Sequence, residues 1–258
     1  MPDLQKTALV TGASSGMGLE FARQLAQKGY ALAIVSNQEK ELADAAESIR
    51  TEIGVPVQSL CIDLAQHGIA EKVLAWCPAP DILINNAGMF FMEYLGPENL
   101  GKVRTMMALH METVTELSIL AGTQMKEKGG RILNISSMTA RIPAPGIAIY
   151  SATKAYLKSF GKSLSYELRP FGVTVTTVCP AAVDTGLYPL PDRLRRFLRR
   201  IGLIRTPEWL VRRSLRALFH GRRAFSPGLT NALLPSLIAL LPARLIDYLG
   251  LKWIRKDS

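Results

Sequence analysis

The run Thr7–Val10 is short and apolar. It passes straight into Thr11-Gly12-Ala13-Ser14-Ser15-Gly16-Met17-Gly18 and then into the helical pattern of Leu19–Lys28. A strand, a glycine-rich turn and a helix N-terminus in that order confine a chain to few folds. Backbone N–H groups and the helix dipole face outward from such a turn, and glycine lets an anion come close, so the junction is a phosphate cradle. Three glycines alone are a weak signal; the strand before and the helix after give it weight.

The same alternation continues. Ala31–Val35, Val57–Cys61, Asp81–Ile84, Arg131–Ile135 and Val173–Cys179 read as further strands. Helical stretches lie between them: Gln38–Ile53, a segment from Asp63 to Trp76, two periods within Glu98–Lys128, and Tyr150–Arg169. Pro207–His220 reads as another helix and Ala224–Ser226 as a short last strand. Long crossovers between consecutive strands predict a parallel, doubly wound α/β sheet of about seven strands with helices on both faces. In such a fold the residue ending the second strand meets the adenosine ribose, where an acid would accept from a free 2′-OH and repel a 2′-phosphate. Here the positions are Ser36-Asn37-Gln38, with no acid and no arginine, so the reading is NADP(H), with NAD(H) the alternative. Asn85-Asn86-Ala87-Gly88 is by composition a turn, but it follows a strand at the end where α/β proteins bind ligands.

Tyr150-Ser151-Ala152-Thr153-Lys154 sets Tyr150 and Lys154 one helical turn apart on one face. A phenol of pKa about 10 is a poor proton carrier at neutral pH, and a fixed ammonium nearby favours the phenolate. With the Ser137 hydroxyl to hold a substrate oxygen, the three make an acid/base set for interconverting an alcohol and a carbonyl. By itself the spacing is as readily a helix surface pair.

Charge divides the chain. Residues 192–258 hold 15 Lys/Arg and 4 Asp/Glu, a net +11, whereas residues 1–191 hold 16 and 17, a net −1. The basic part is apolar between its arginines and poor in aromatics for base stacking, which argues against nucleic acid. Its uncharged run from Ala224 to Ala243 is interrupted by Pro227, Gly228, Asn231, Pro235 and Pro242, which favours packed or interfacial helices over a membrane span. Two readings stand: a lid whose Leu233, Leu237, Leu240 and Leu241 pack on the body, or a peripheral contact with an anionic membrane. Three scattered cysteines argue against a disulfide framework, three scattered histidines offer no metal constellation, and the N-terminus lacks a signal peptide, so the expected location is cytoplasmic, at most peripheral at a membrane.

Taken together, Thr11–Gly18, Asp63, Asn85–Gly88, Ser137, Tyr150, Lys154 and Pro180–Thr185 resemble the short-chain dehydrogenase/reductase family in order and spacing over about residues 5–226. The resemblance implies a Rossmann-type domain over 1–226, with a substrate flap at about 186–206 and a basic, apolar helical extension over 227–258 packed on it. It implies that Gly12, Ser14, Ser15, Gly16, Met17 and Gly18 hold pyrophosphate and adenosine, and that Asp63 meets adenine. Asn37 would lie at the ribose, Asn86 and Gly88 along the cofactor, and Val183 and Thr185 at the carboxamide. Tyr150 would be the acid/base, Lys154 would bind the nicotinamide ribose, and Ser137 would position the substrate oxygen. Two positions depart from the family. His110 stands where an asparagine usually supports a proton relay, and either a relay role or a buried histidine with local partners is open to it. Pro180-Ala181 replaces the usual Pro-Gly, and the added methyl is expected to restrict the backbone and shift the flap.

The expected function is an NAD(P)(H)-dependent oxidoreductase acting on a small hydrophobic alcohol or carbonyl. The alternative is a dinucleotide-binding protein with little turnover that docks on a membrane or partner through its tail. A homodimer or higher homo-oligomer is expected, with Ala155, Leu157, Phe160 and Leu164 offering the apolar face.

Overall fold

The computed structural model describes residues 6–142, 144–184 and 204–239, with Arg193, Arg196, Leu241, Pro242, Arg244 and Leu245. Six strands come in chain order: β1 (Thr7–Thr11), β2 (Ala31–Ser36), β3 (Val57–Cys61), β4 (Ile82–Asn85), β5 (Gly130–Ile135) and β6 (Val173–Val178). They pair in parallel, and β9 (Ala224–Phe225) adds to β6, giving a seven-stranded sheet in the order β3-β2-β1-β4-β5-β6-β9. The crossovers carry α1 (Gly16–Ala26), α2 (Glu39–Ile53), α3 (Ile69–Trp76), α4 (Leu100–Met107), α5 (Thr113–Met125), α6 (Ala148–Leu168) and α7 (Pro207–Phe219). The strand order reverses between β1 and β4, which opens a crevice at the carboxyl ends of the strands. This is the doubly wound sheet that the alternating pattern predicts.

The pleat sorts the core into two layers. Ala8, Val10, Leu32 and Ile34 point to one face, where Phe21 and Leu25 of α1, Ile49 of α2, and Val211 and Leu215 of α7 cover them. Leu9, Ala33 and Val35 point to the other, against Val73 of α3, Leu117 and Met125 of α5, and Leu164 of α6. Both faces are covered, which is why the strands read as continuous apolar runs. Leu157 and Leu164 are 2% and 6% exposed. The apolar face assigned to an oligomer contact is therefore half core: on α6 these two leucines point inward. Ala155 of that face is exposed and Phe160 half-buried, and Ile119 and Tyr166 are large apolar side chains exposed on α5 and α6, at 48% and 52%.

Three local features were not legible in the sequence. A two-stranded parallel pair joins β7 (Ala182–Val183) to β8 (Ile204–Arg205) beside the site. Between α4 and α5 the helix winds as a π-turn over Ala108–Glu112. Finally, α8 (Leu229–Ala239) carries Pro235 in its interior. Among the described residues, no helix is long and apolar enough to cross a membrane. Thr185 and most of the expected 186–206 flap and of the stretch beyond Ala239 lie outside the described residues.

Candidate active site

The loops leaving β1, β4, β5 and β6 meet at the crevice. The first is built by close approach. A Cβ on Gly18 would stand 1.9 Å from the Gly12 carbonyl oxygen, and one on Gly12, whose φ is +65°, would stand 2.8 Å from Ala87 Cα. Only glycine fits either place. Asn86 locks the turn from the β4 side: its Nδ2 donates to the Thr11 and Gly12 carbonyls at 3.0 and 3.2 Å. Thr11 Oγ1 accepts from the Asn86 and Ala87 amides at 3.0 and 3.1 Å and donates to the Ile84 carbonyl. Thr11 went unremarked in the sequence as more than the start of the glycine turn, yet it joins the two loops.

These loops floor a groove of about 750 Å³ lined by Gly12, Ser14, Ser15, Gly16, Met17, Asn37, Asp63, Asn86 and Gly88. Asp63 Oδ1 accepts from the Ala65 amide at 2.9 Å, and Asn37 is exposed. Ser36, 5% exposed, donates to Ser14 Oγ at 2.9 Å, tying the end of β2 to the glycine turn. The groove suits the dinucleotide that the sequence points to. Its glycine turn packs too closely on the β4 loop to admit a Cβ at Gly12, and Asn86, which lines the groove, has its Oδ1 buried without a partner among the described residues.

The reactive side chains are positioned from β5 and α6. Ser136 Oγ donates to the Lys154 carbonyl at 2.6 Å, and Lys154 Nζ donates to the Ile135 carbonyl at 3.1 Å. These two bonds fasten the end of β5 to α6 and so fix Ser137 relative to Tyr150. Two turns further along the same face of α6, a Cβ at Gly161 would lie 2.1 Å from Thr177 Oγ1, so glycine lets the helix lie close on β6. Ser137, Tyr150, Lys154, His110 and Gly88 line one narrow cavity of about 60 Å³, with Met17, Met89, Ile135 and Val183 as its apolar part. Tyr150 is 5% exposed, with Phe90 edge-on at 4.9 Å between ring centroids and Lys154 Nζ 5.5 Å from its own. Burial lowers Lys154 to about 8, partly offset by Cys179 beside it.

His110 is fully buried on the π-turn, and both ring nitrogens are engaged. Nε2 accepts from the Met89 amide at 3.0 Å, which puts the proton on Nδ1, 3.0 Å from Thr153 Oγ1; Thr153 donates in turn to the Tyr150 carbonyl at 2.9 Å. Burial, then the nearby Lys154 charge, holds the imidazole well below its ordinary pKa, so it is neutral. Gly88 must be small here, since a Cβ would meet His110 Nε2 at 3.0 Å. Thr153 is fully buried and was passed over in the sequence; the signal was a threonine three residues after Tyr150, on the inward side of the same helix.

The β6 loop closes the far wall. Ala181 lines the cavity, and Ala79 is the one non-glycine at positive φ among the described residues, so the replacement of glycine by Ala181 carries no backbone strain. Behind this loop Asn231 of α8, 3% exposed, donates from Nδ2 to the Cys179 carbonyl at 2.6 Å. Asn231 was legible only as a polar residue in an apolar run. Val183 lies in β7 and is buried; Thr185 is outside the described residues. Away from the cavity the fold pairs His67 with Glu112 and brings Glu116 near, with ligand atoms of all three within 4.8 Å, a grouping that sequence spacing did not announce.

Comparison with known proteins agrees with this geometry. Residues 6–189 match the short chain dehydrogenase family model. The chain is 31% identical over 195 residues to very-long-chain 3-oxoacyl-CoA reductase-A of Danio rerio, covering 72% of this chain and 60% of that protein. It is 29% identical over 253 residues to the very-long-chain 3-oxoacyl-CoA reductase of Homo sapiens, covering 94% and 77%. Thus the chain spans only 60% of the length of the Danio rerio relative. Among solved structures, a short-chain dehydrogenase from Sphingobium yanoikuyae in complex with NADPH superposes with a TM-score of 0.76 at 30% identity, covering 91% of this chain and 92% of that one. The bulky-bulky ketone specific alcohol dehydrogenase from Comamonas testosteroni gives 0.76 at 28% identity, covering 92% and 95%. With the parallel sheet, the glycine-floored crevice and the family match all falling on the same residues, the chain belongs to the short-chain dehydrogenase family of oxidoreductases.

Proposed function

We propose that this protein reduces a ketone attached to a long or bulky apolar group, using NADPH, and that a 3-oxoacyl thioester is the first substrate class to test. The observation that carries the reading is the convergence of Ser137, Tyr150 and Lys154 in one cavity that Met17, Met89, Ile135 and Val183 also line. The names of the relatives, which act on 3-oxoacyl-CoA and on bulky ketones, support the substrate class.

A bound nicotinamide dinucleotide supplies the hydride. The chain's own residues supply the rest. Ser137 holds the carbonyl oxygen by donating from its hydroxyl, which in this structure accepts from the Thr139 amide at 3.2 Å and so keeps its proton for the substrate. Tyr150 transfers its phenolic proton to the oxygen as the alkoxide develops. Lys154, held beside the Tyr150 ring, supplies positive charge to the phenolate that remains. Met17, Met89 and Val183 exclude water and contact the apolar part of the substrate. Gly12, Ser14, Ser15, Gly16 and Gly18 would hold the pyrophosphate end, Asp63 the adenine and Asn37 the ribose side. No carboxylate stands at Ser36-Asn37-Gln38 to repel a 2′-phosphate, which supports preference for NADPH over NADH.

The test is NADPH oxidation with 3-oxoacyl-CoA thioesters of increasing chain length alongside bulky aromatic ketones. Rising kcat/KM with chain length supports the thioester reading; turnover of none of these carbonyls, with NADPH still bound, would favour a binding protein with little catalysis. Wild type is expected to bind NADPH more tightly than NADH, and Ser36→Asp to reverse the order. Fluorescence titration checks both.

A further inference from the structure

The C-terminal helix has two unlike faces. Asn231 and Pro235, one turn apart, are buried. Leu233 and Leu237, one turn apart on the opposite side, are 56% and 59% exposed, and Leu241 and Leu245 continue the four-residue spacing at 37% and 41%. Of the leucines expected to pack as a lid, Leu233, Leu237 and Leu241 are therefore exposed, with Arg244 exposed near them, and Leu240 lies outside the described residues.

The inward face is anchored by an unusual device. Pro235 has no N–H to give to the carbonyl four residues back, that of Asn231. Arg141 takes that carbonyl instead, donating from Nη2 at 3.2 Å, and also reaches Ser226 Oγ at 3.3 Å. Asn231 Nδ2 meanwhile holds the Cys179 carbonyl. Arg141 ends the short 3-10 helix Met138–Arg141 that Ser137 caps, and Cys179 precedes the Pro180-Ala181 wall of the cavity. So α8 is fastened to both sides of the reactive cavity, and its leucine row stands about one helix diameter, roughly 10 Å, outside it.

We propose that this leucine row is a docking surface for an anionic lipid bilayer, with leucines entering the acyl boundary and arginines meeting lipid phosphates. Charge complementarity selects that occupant: residues 192–258 carry a net +11 against −1 for the rest of the chain, so the apolar row lies in the one strongly cationic part of the sequence. Docking there would present the cavity wall, rather than the far side of the sheet, to the membrane. The inference goes beyond the proposed reaction and does not depend on the substrate.

Vesicle cosedimentation of the full chain tests it without any activity readout. Binding to vesicles of phosphatidylcholine with about one third phosphatidylglycerol should exceed binding to pure phosphatidylcholine by about tenfold or more, and should weaken as NaCl rises from about 50 to about 500 mM. Leu233→Ser combined with Leu237→Ser should lower anionic-vesicle binding by about tenfold or more. Because that double variant could disturb α8, Leu237→Trp is the second probe: its emission should shift to the blue on adding anionic vesicles. Absence of anionic-vesicle binding at low salt overturns the proposal. So does full binding by the double serine variant, which would leave the arginines acting alone. Concentration-dependent self-association that the serine variant abolishes, without vesicle binding, overturns it in favour of a second copy of the chain.

Discussion

At the scale of single residues, His110 shows how a departure from family pattern is accommodated. Its neutral ring accepts from the Met89 amide and donates to Thr153, whose own proton goes to the Tyr150 carbonyl. The side chain thus links the loop after β4 to the helix that carries Tyr150 and Lys154, and we propose that it positions rather than transfers protons. Its depressed pKa has a stability consequence of definite sign. The native ring stays neutral below its ordinary value of 6.5, whereas the unfolded chain takes up a proton there. Stability is therefore lost as pH falls below 6.5 and is insensitive to this group above it. Thermal unfolding of wild type and His110→Asn should show a gap in Tm at about pH 7.5 that narrows at about pH 5; a constant gap would contradict the assignment. Sequence reading could place His110 at this position and could not decide its role, because the deciding groups, the Met89 amide and the Thr153 hydroxyl, come from two other elements. Tyr150, Lys154 and Ser137 were legible because their chemistry is written in side-chain type and helical spacing.

At the scale of elements, the turn between β1 and α1 tests the close-approach argument. Gly18→Ala must push apart the Gly12 carbonyl and the Asn86 amide, which a Cβ would meet at 1.9 and 2.6 Å. Overpacking of this kind costs about 1–3 kcal/mol, and it should also weaken NADPH binding, because the groove floor moves. Denaturant unfolding and fluorescence titration of the variant measure the two effects; unchanged values for both would refute the packing account. The strands were legible because covered sheet faces demand continuous apolar runs, and the pleat then fixes which residue faces which layer. The β7–β8 pair was not, since each strand is two residues long and the partners are remote in sequence. The π-turn was not either, because an extra residue in a helix leaves no mark in composition. On α6, periodicity correctly identified an apolar face but not what lay against it; Leu164 joins the core on the sheet and Leu157 is buried.

At the scale of the whole molecule, the described residues expose apolar side chains along the α8 row and on the side of α4 to α6, among other places. The latter exposes Met107, Ile119 and Tyr166, at 42%, 48% and 52%, and Met107 lines a groove of about 770 Å³. We infer that these residues, in place of Leu157 and Leu164, form a two-fold contact. Light scattering should return about twice the 28.3 kDa protomer mass, and Ile119→Lys should shift it toward the protomer; a monomer at micromolar concentration would contradict this. We also propose that residues to about 226 form the catalytic body and the remainder an extension fastened to it through Asn231 and Arg141. The central claim is that the buried Tyr150 moves the proton while the crevice binds the cofactor independently of it. The most direct measurement compares wild type with Tyr150→Phe, in NADPH oxidation on a carbonyl that wild type reduces and in NADPH affinity by fluorescence. The account predicts kcat/KM lower by about a thousandfold with affinity altered less than about threefold; a variant that keeps most of its turnover would contradict it.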